Sequence, residues 1–341
     1  MVPSIFEAIP TCRDAMTALS PHHPGRGPDF VVKDELDHAM AYALYGSAAA
    51  IKRDQEQAIL AADWLVANHY DGPGWGLPFA WEAFGREVRN PVTTVYGITT
   101  ALAVRALIDV YELSGGLSYG QCAKNALEYY LQFFNATEDG GYFWYSDQPQ
   151  DNKSVHNVTA MLMGQYARAS LHWPNTGFRA AAQQAANYLL TQRQESELGM
   201  YWSYWVGASR PNDSVHAAYV VQGFIDYARA LGCQVDIDSA LRYLSGFVRS
   251  DRVYEFNPHP GLNERTLELP ARVWGVGMLV QTLSDGGLIE DAIRATRALP
   301  AYAFGPGRFA VRPGEREILP RAQAHVVLGL ARLEQALGLK R

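Results

Sequence analysis

Three stretches decide the architecture: Asn90 followed by Thr93-Thr94-Val95-Tyr96, then Asn152-Lys153-Ser154-Val155-His156, then Asn212-Asp213-Ser214-Val215-His216. Their hydroxyl residues fall at positions 94, 154 and 214, a step of 60 each time. Each stretch opens a long apolar run. Two of the runs carry the same later string, Tyr166-Ala167-Arg168-Ala169 and Tyr227-Ala228-Arg229-Ala230. Asn, Asp, Ser and Thr accept hydrogen bonds from the free amides of a first helical turn, so each stretch reads as a capped helix start. A fixed period of this size means one helical unit stacked on copies of itself.

Weaker copies lie on either side. Leu269-Pro270 opens a run through Trp274 to about residue 284, and Leu319-Pro320 opens one through His325 to about residue 337. Proline suits the first turn of a helix. The stretch from about 33 to 46 supplies a further copy, which makes six helices apolar nearly all round and therefore interior. Between them run more polar helices, at about 51–69, 121–134, 176–193, 237–249 and 287–299, with 5–19 as a sixth. In 51–69, Ile51, Ala58, Ile59, Ala62, Trp64 and Leu65 lie toward one side, while Lys52, Arg53, Gln55 and Glu56 are polar. One apolar side marks an outer layer.

Each outer helix is followed by a loop rich in glycine and aromatics, such as Asp71-Gly72-Pro73-Gly74-Trp75-Gly76 or Leu198-Gly199-Met200-Tyr201-Trp202-Ser203-Tyr204-Trp205. If outer and inner helices alternate antiparallel, all these loops emerge at one end. The expectation is an all-α protein, an α/α toroid of six helical hairpins that uses residues 1–341 as one domain. Length alone would suggest two domains, but a closed ring can use the whole chain. A net charge of −6 without a basic run argues against nucleic acid and anionic membranes as partners. No stretch has the length and apolarity of a membrane span. Cys12, Cys122 and Cys233 are far apart and show no zinc spacing, so neither a metal nor a cofactor is expected. With Met1 as the native start, the absence of a basic and apolar leader predicts a cytoplasmic protein, or a periplasmic one if the start was trimmed.

The alternation of Gly-x-Trp/Tyr turns with capped helices resembles the terpenoid-cyclase and protein-prenyltransferase toroids, and with them the six-hairpin glycosidase-like proteins. The acid and diphosphate motifs of the terpenoid branch have no full match here; Asp236-Ile237-Asp238-Ser239 is only a partial one. More specifically, Trp75-Gly76-Leu77-Pro78-Phe79-Ala80-Trp81-Glu82 before Asn90-Pro91-Val92-Thr93-Thr94 is similar to exopolysaccharide-biosynthesis proteins of the VpsJ type. So is Asn212-Asp213-Ser214-Val215-His216-Ala217-Ala218-Tyr219. Glu82 stands where that family has Gln. The resemblance spans about residues 40–235. It implies polysaccharide metabolism, an oligo- or polysaccharide as ligand, and other exopolysaccharide-biosynthesis proteins as partners.

Sugar rings pack their C–H faces on indoles and phenols while their hydroxyls reach polar groups nearby. The aromatics expected at the ring mouth are Trp75, Trp81, Tyr96, Trp144, Trp202, Tyr204, Trp205 and Tyr254. One aromatic per loop can instead lock the outer helix onto the inner one, but the 198–205 loop has more than a turn needs. His156 and His216 hold one repeat position in the 60-residue register, with Tyr96 in the first copy, and so are expected to converge. Asp213 lies three residues before His216, on the same helical face, where it can orient the imidazole, act as an acid, or simply cap. Glu82 with Asp213 would give the two carboxylates of a glycosidase. Arg272 and Arg321 either pair with Glu268 and Glu317 or hold an anionic sugar.

Three readings follow. The first is cleavage of a glycan, by hydrolysis through Glu82 and Asp213 or by elimination from a uronate with a His or Tyr base. The second is a sugar epimerase or isomerase using His156 and His216. The third is a toroid that binds a glycan or polyprenyl lipid without catalysis.

Overall fold

The computed structural model describes residues 10–208 and 210–339. Six helices line the centre: α2 (Ala39–Ile51), α4 (Gly97–Ser114), α6 (His156–His172), α8 (Ser214–Leu231), α11 (Val273–Asp285) and α13 (Pro320–Ala336). Six more lie outside them: α1 (Cys12–Thr17), α3 (Gln55–Ala67), α5 (Leu117–Tyr130), α7 (Phe178–Thr191), α9 (Asp238–Ser245) and α12 (Ile289–Thr296). A single short turn, α10 (Glu264–Leu267), sits in the loop before α11. Burial separates the two classes. Helix α6 buries fourteen of its 17 residues, whereas α3 buries four of 13. Each inner helix packs on the next, and α13 returns to α2, closing the ring. The part of the expected first outer helix before residue 10 lies outside the described residues; Cys12–Thr17 is helical, capped by Thr11 and Asp14 in a reciprocal box.

The helix starts differ from the sequence expectation in an instructive way. Only Asp213 caps an inner helix with its side chain; the N-cap positions of α4 and α6 are Tyr96 and Val155, which make no such bond. Their orphan first amides are satisfied by the loop that follows. Gly97 N–H donates to Tyr145 O (3.1 Å), His156 to Tyr204 O (3.1 Å), Ser214 to Glu255 O (2.9 Å) and Val273 to Val311 O (2.9 Å). This backbone interlock links each unit to the next without a capping side chain. It also sets the true period, 59, 58 and 59 residues between Gly97, His156, Ser214 and Val273. His156 is therefore the first residue of its helix while His216 is the third, and the two are not equivalent.

Four of the glycine- and aromatic-rich loops are short antiparallel hairpins, which the all-helical reading did not anticipate; the Asp71–Gly76 loop is not. Phe134–Thr137 pairs with Gly140–Phe143, Gln194–Ser196 with Gly199–Tyr201, Val248–Arg249 with Arg252–Val253, and Ala303–Gly305 with Arg308–Phe309. Gly140 and Gly199 have positive φ, and a Cβ there would meet Gln184 O at 2.2 Å and Ser239 O at 2.1 Å on the neighbouring outer helix. Only glycine fits where these turns press on a helix backbone. A fifth hairpin, Arg26–Gly27 with Leu36–Asp37, precedes α2.

Toward the C-terminal ends of the inner helices a polar network rather than aliphatic chains crosses the bore and lines a second cleft there, with Asp109, Arg168 and Arg332. Arg105 lies between Asp226 (4.0 Å) and Asp285 (3.8 Å), and Gln222 donates to both carboxylates (2.9 Å each). Among the described residues no helix is long and apolar enough to cross a membrane.

Candidate functional site

At the other end the bore is open. The second residue of every inner helix lines it: Met40, Ile98, Asn157, Val215, Trp274 and Arg321. One position repeated six times around a ring points at one place, and that place is a cavity of about 220 Å³. That space is on the scale of a sugar ring, and two adjoining grooves share lining with it, one through Phe30, Arg272 and Trp274, the other through Tyr204 and His216. Trp81, Phe79, Tyr96, Tyr145 and Tyr204 from the connecting loops form its walls. The turn of the first hairpin brings Phe30 over the mouth, edge-on to Trp81 (6.3 Å) and Trp274 (5.8 Å).

The polar groups are ordered by ion pairs. Asp213 Oδ1 accepts from the backbone N–H of His216 (3.0 Å) and from its Nδ1 (2.7 Å). The carboxylate accepts, so Nδ1 carries the proton and Nε2 is the nitrogen left free, on a ring that lines both the cavity and the adjoining groove. Asp213 Oδ2 accepts from Arg272 (2.7 Å), and the same guanidinium nitrogen forms an ion pair with Glu255 Oε1 (2.6 Å), whose Oε2 accepts from the Arg272 backbone N–H (2.8 Å). Burial works to raise the Asp213 pKa, but His216 and Arg272 outweigh it and hold the carboxyl well below its ordinary value. Glu255 behaves oppositely. Burial and the facing Asp213 raise it, against the pull of Arg272. Arg321 is paired with Asp29 (2.5 Å) and lies over the Trp274 ring.

His325, one turn into α13, completes the set. Its Nδ1 lies 2.6 Å from Arg321 O, which can only accept, so Nδ1 is the donor and Nε2 accepts from Tyr219 Oη–H (2.5 Å). Burial pushes His325 down to about 4, so it is neutral at pH 7. Burial also raises Tyr96, Tyr145, Tyr204 and Tyr219, which therefore hold their protons as donors. Thr99, Asn157 and Trp274 line the cavity, and their Oγ1, Oδ1 and Nε1 atoms are buried behind its surface without a partner among the described residues. No group of three or more His, Cys, Asp or Glu among the described residues is arranged to hold a metal.

Of the residues expected at the site, Asp213, His216, Arg272, Arg321, Trp81, Tyr96 and Tyr204 come together. Trp205 stands at the rim in an adjoining groove with Tyr204 and Phe256. The others do not join them. His156 Nδ1 bonds Ser203 O (2.7 Å) away from the cavity, because its place at the head of α6 turns it into the neighbouring loop. Glu82 is folded back on its own turn, accepting from Phe84 N (2.6 Å), Arg86 N (2.7 Å) and Arg86 Nε (2.9 Å). Burial would raise its pKa, but those donors keep it low. Trp75 and Trp202 are fully buried and donate to the end carbonyls of the preceding outer helices, Leu65 O (3.0 Å) and Leu189 O (2.7 Å). They are the locks between layers. Trp144 packs on Phe133, and Tyr254 lies under Arg249. Arg272 and Arg321 are indeed paired, but with Asp213, Glu255 and Asp29 rather than with Glu268 and Glu317; Glu317 holds Lys33 instead.

His325, Tyr219, Trp274, Asn157 and Phe30 were not singled out from the sequence. The signal for Asn157 and Trp274 was present, since both are second residues of repeat helices. Phe30 and Asp29 lie outside the repeat, which hid them.

No protein-family model matches the chain, and no curated protein matches it in sequence. Solved structures match its fold. Cellobiose 2-epimerase from Bacillus thermoamylovorans superposes with a TM-score of 0.66 at 12% identity, over 97% of this chain and 99% of that one. A glycosyl hydrolase family 88 protein from Bacteroides vulgatus gives 0.64 at 12%, over 98% and 99%. A GH76 α-mannanase from Bacteroides thetaiotaomicron gives 0.62 at 12%, over 88% and 87%. The chain thus has the six-hairpin α/α-toroid fold of these glycosidase-like enzymes.

Proposed function

We propose that the protein is a carbohydrate-active enzyme that holds one ring of an oligo- or polysaccharide in the bore and moves a proton on it. One observation carries this reading: two imidazoles, on His216 and His325, share an aromatic-walled cavity. Asp213 fixes the tautomer and orientation of His216, so Nε2 can take a proton and return it. The Tyr219–His325 pair supplies a second proton path, with Tyr219 donating while the buried imidazole stays neutral. Such a set suits epimerisation or isomerisation beside a sugar carbonyl. The fold also serves the cellobiose 2-epimerase named above.

Hydrolysis is the second reading, and a specific observation favours it. Asp213 and Glu255 bracket one arginine nitrogen at 2.7 and 2.6 Å, and their environments push the two pKa values apart. Asp213 already accepts three hydrogen bonds, which ranks this reading below the imidazole pair. The role in exopolysaccharide metabolism rests on the Trp75–Thr94 and Asn212–Tyr219 strings.

Incubation with neutral disaccharides in D2O separates the readings. Deuterium at a carbon of recovered or epimerised sugar supports proton transfer. Release of reducing ends without exchange supports hydrolysis. Neither result, across a panel of saccharides that bind, would remove the catalytic reading.

A further inference from the structure

We infer that the ring accepted by the bore is uncharged, a neutral sugar unit rather than a uronate or a sulfated or phosphorylated one. The inference rests on the proposed function and comes from a count of the charges around the cavity. The two bore-lining arginines are already matched. Arg272 lies between Asp213 (2.7 Å) and Glu255 (2.6 Å), and Arg321 bonds Asp29 through two nitrogens (2.7 and 2.5 Å). Two cations thus meet three carboxylates. Behind the Tyr96 wall the pattern repeats, with Arg86 between Glu82 (2.9 Å) and Asp151 (2.6 Å). His325 adds no charge at neutral pH. With His216 neutral the bore carries one negative charge in excess; with His216 protonated it is balanced. In neither state does a spare cation wait for an anion among the groups that line the bore; Arg312 and Arg316 stand outside it, in the adjoining groove.

An incoming carboxylate would have to displace Asp29, Asp213 or Glu255 from its arginine, leaving a buried carboxylate without its partner. An uncharged ring meets no such obstacle. Its C–H faces pack on the aromatic walls formed by Trp81, Tyr96 and Tyr204, and its hydroxyls pair with the neutral His216 imidazole and the tyrosine hydroxyls of the lining. Neutral hydroxyls satisfy neutral donors and acceptors without moving an ion pair. The same count disfavours elimination from a uronate in this cavity, because that reaction needs a free cation on the carboxylate.

The test uses the full chain with glucose, mannose and galactose against the matching uronates, by ligand-observed NMR and isothermal titration. At least one neutral sugar is expected to bind ten-fold or more tightly than its uronate. Asp29→Asn, which removes the partner of Arg321, is expected to raise uronate affinity several-fold without improving neutral binding; Glu255→Gln gives the same comparison at Arg272 should the first variant fail to fold. Uronates binding as well as or better than neutral sugars to the wild type overturns the inference and leaves the proposed function standing. Binding of neither class, with Trp274 and Trp81 fluorescence unmoved, overturns the proposed function and the inference with it.

Discussion

His216 has two tasks that its neighbours divide between them. Asp213 holds Nδ1 and thereby leaves Nε2 free, while Tyr204 packs edge-on against the ring at 4.8 Å. His216→Ala should keep its far-ultraviolet circular dichroism and lose turnover by about 10²–10⁴ in kcat, the usual worth of a positioned general acid–base. A change confined to KM would assign the residue to binding alone. His325 makes a different prediction. Its proton leaves at about pH 4 in the folded chain and at the ordinary value of 6.5 when unfolded. In that window the unfolded state holds the extra proton, so stability is present above 6.5 and lost as pH falls toward 4. The loss is of the order of 3 kcal/mol. Urea titrations at about pH 7 and about pH 4.5 should show His325→Gln losing less stability on acidification than the wild type. At this scale the sequence was partly legible. The Asp213–His216 spacing announced their contact, because three residues is one helical face. His156 misled because the 60-residue register counted capping side chains, while the fold registers on backbone amides.

The elements show why half the aromatics were misplaced. Trp75 and Trp202 sit in the same kind of loop as Trp81 and Tyr204, but their indole N–H groups reach back to the outer helix instead of forward to the bore. Composition cannot distinguish these directions, since both use Trp beside Gly. Mutation can. Trp202→Phe removes one of the two donors to Leu189 O, which keeps the Gln192 N–H (3.1 Å), and should cost about 0.5–1.5 kcal/mol in denaturant unfolding while saccharide affinity holds. Trp274→Ala should do the reverse, weakening binding more than folding. The inner helices meet through small residues, and a Cβ at Gly329 would lie 2.3 Å from Gly277 O on α11. Gly329→Ala is therefore expected to destabilise the ring by about 1–3 kcal/mol through overpacking, read from the shift in the urea midpoint. An unchanged midpoint would mean that α11 and α13 can separate freely.

For the whole molecule, periodicity carried the most information. Six apolar runs separated by amphipathic ones already specify a ring, and the ring specifies that six equivalent side chains face one another. What the sequence did not show was depth. The Arg105–Asp226–Asp285 network divides the cavity at the hairpin end from a cleft at the other, a division set by tertiary distances that no spacing encodes. The site's first hairpin, with Asp29 and Phe30, is likewise legible only in three dimensions, because Arg321 lies 292 residues away from Asp29.

The central claim is that this open half of the ring is a seat for one sugar ring facing His216. A crystal structure of the protein soaked with a mixture of neutral oligosaccharides tests it most directly. The account predicts a pyranose ring stacked against Trp274 or Trp81, with a ring carbon or hydroxyl within hydrogen-bonding reach of His216 Nε2. Sugar density confined to the outer grooves or the Arg105 end, with the bore holding only solvent, would contradict it.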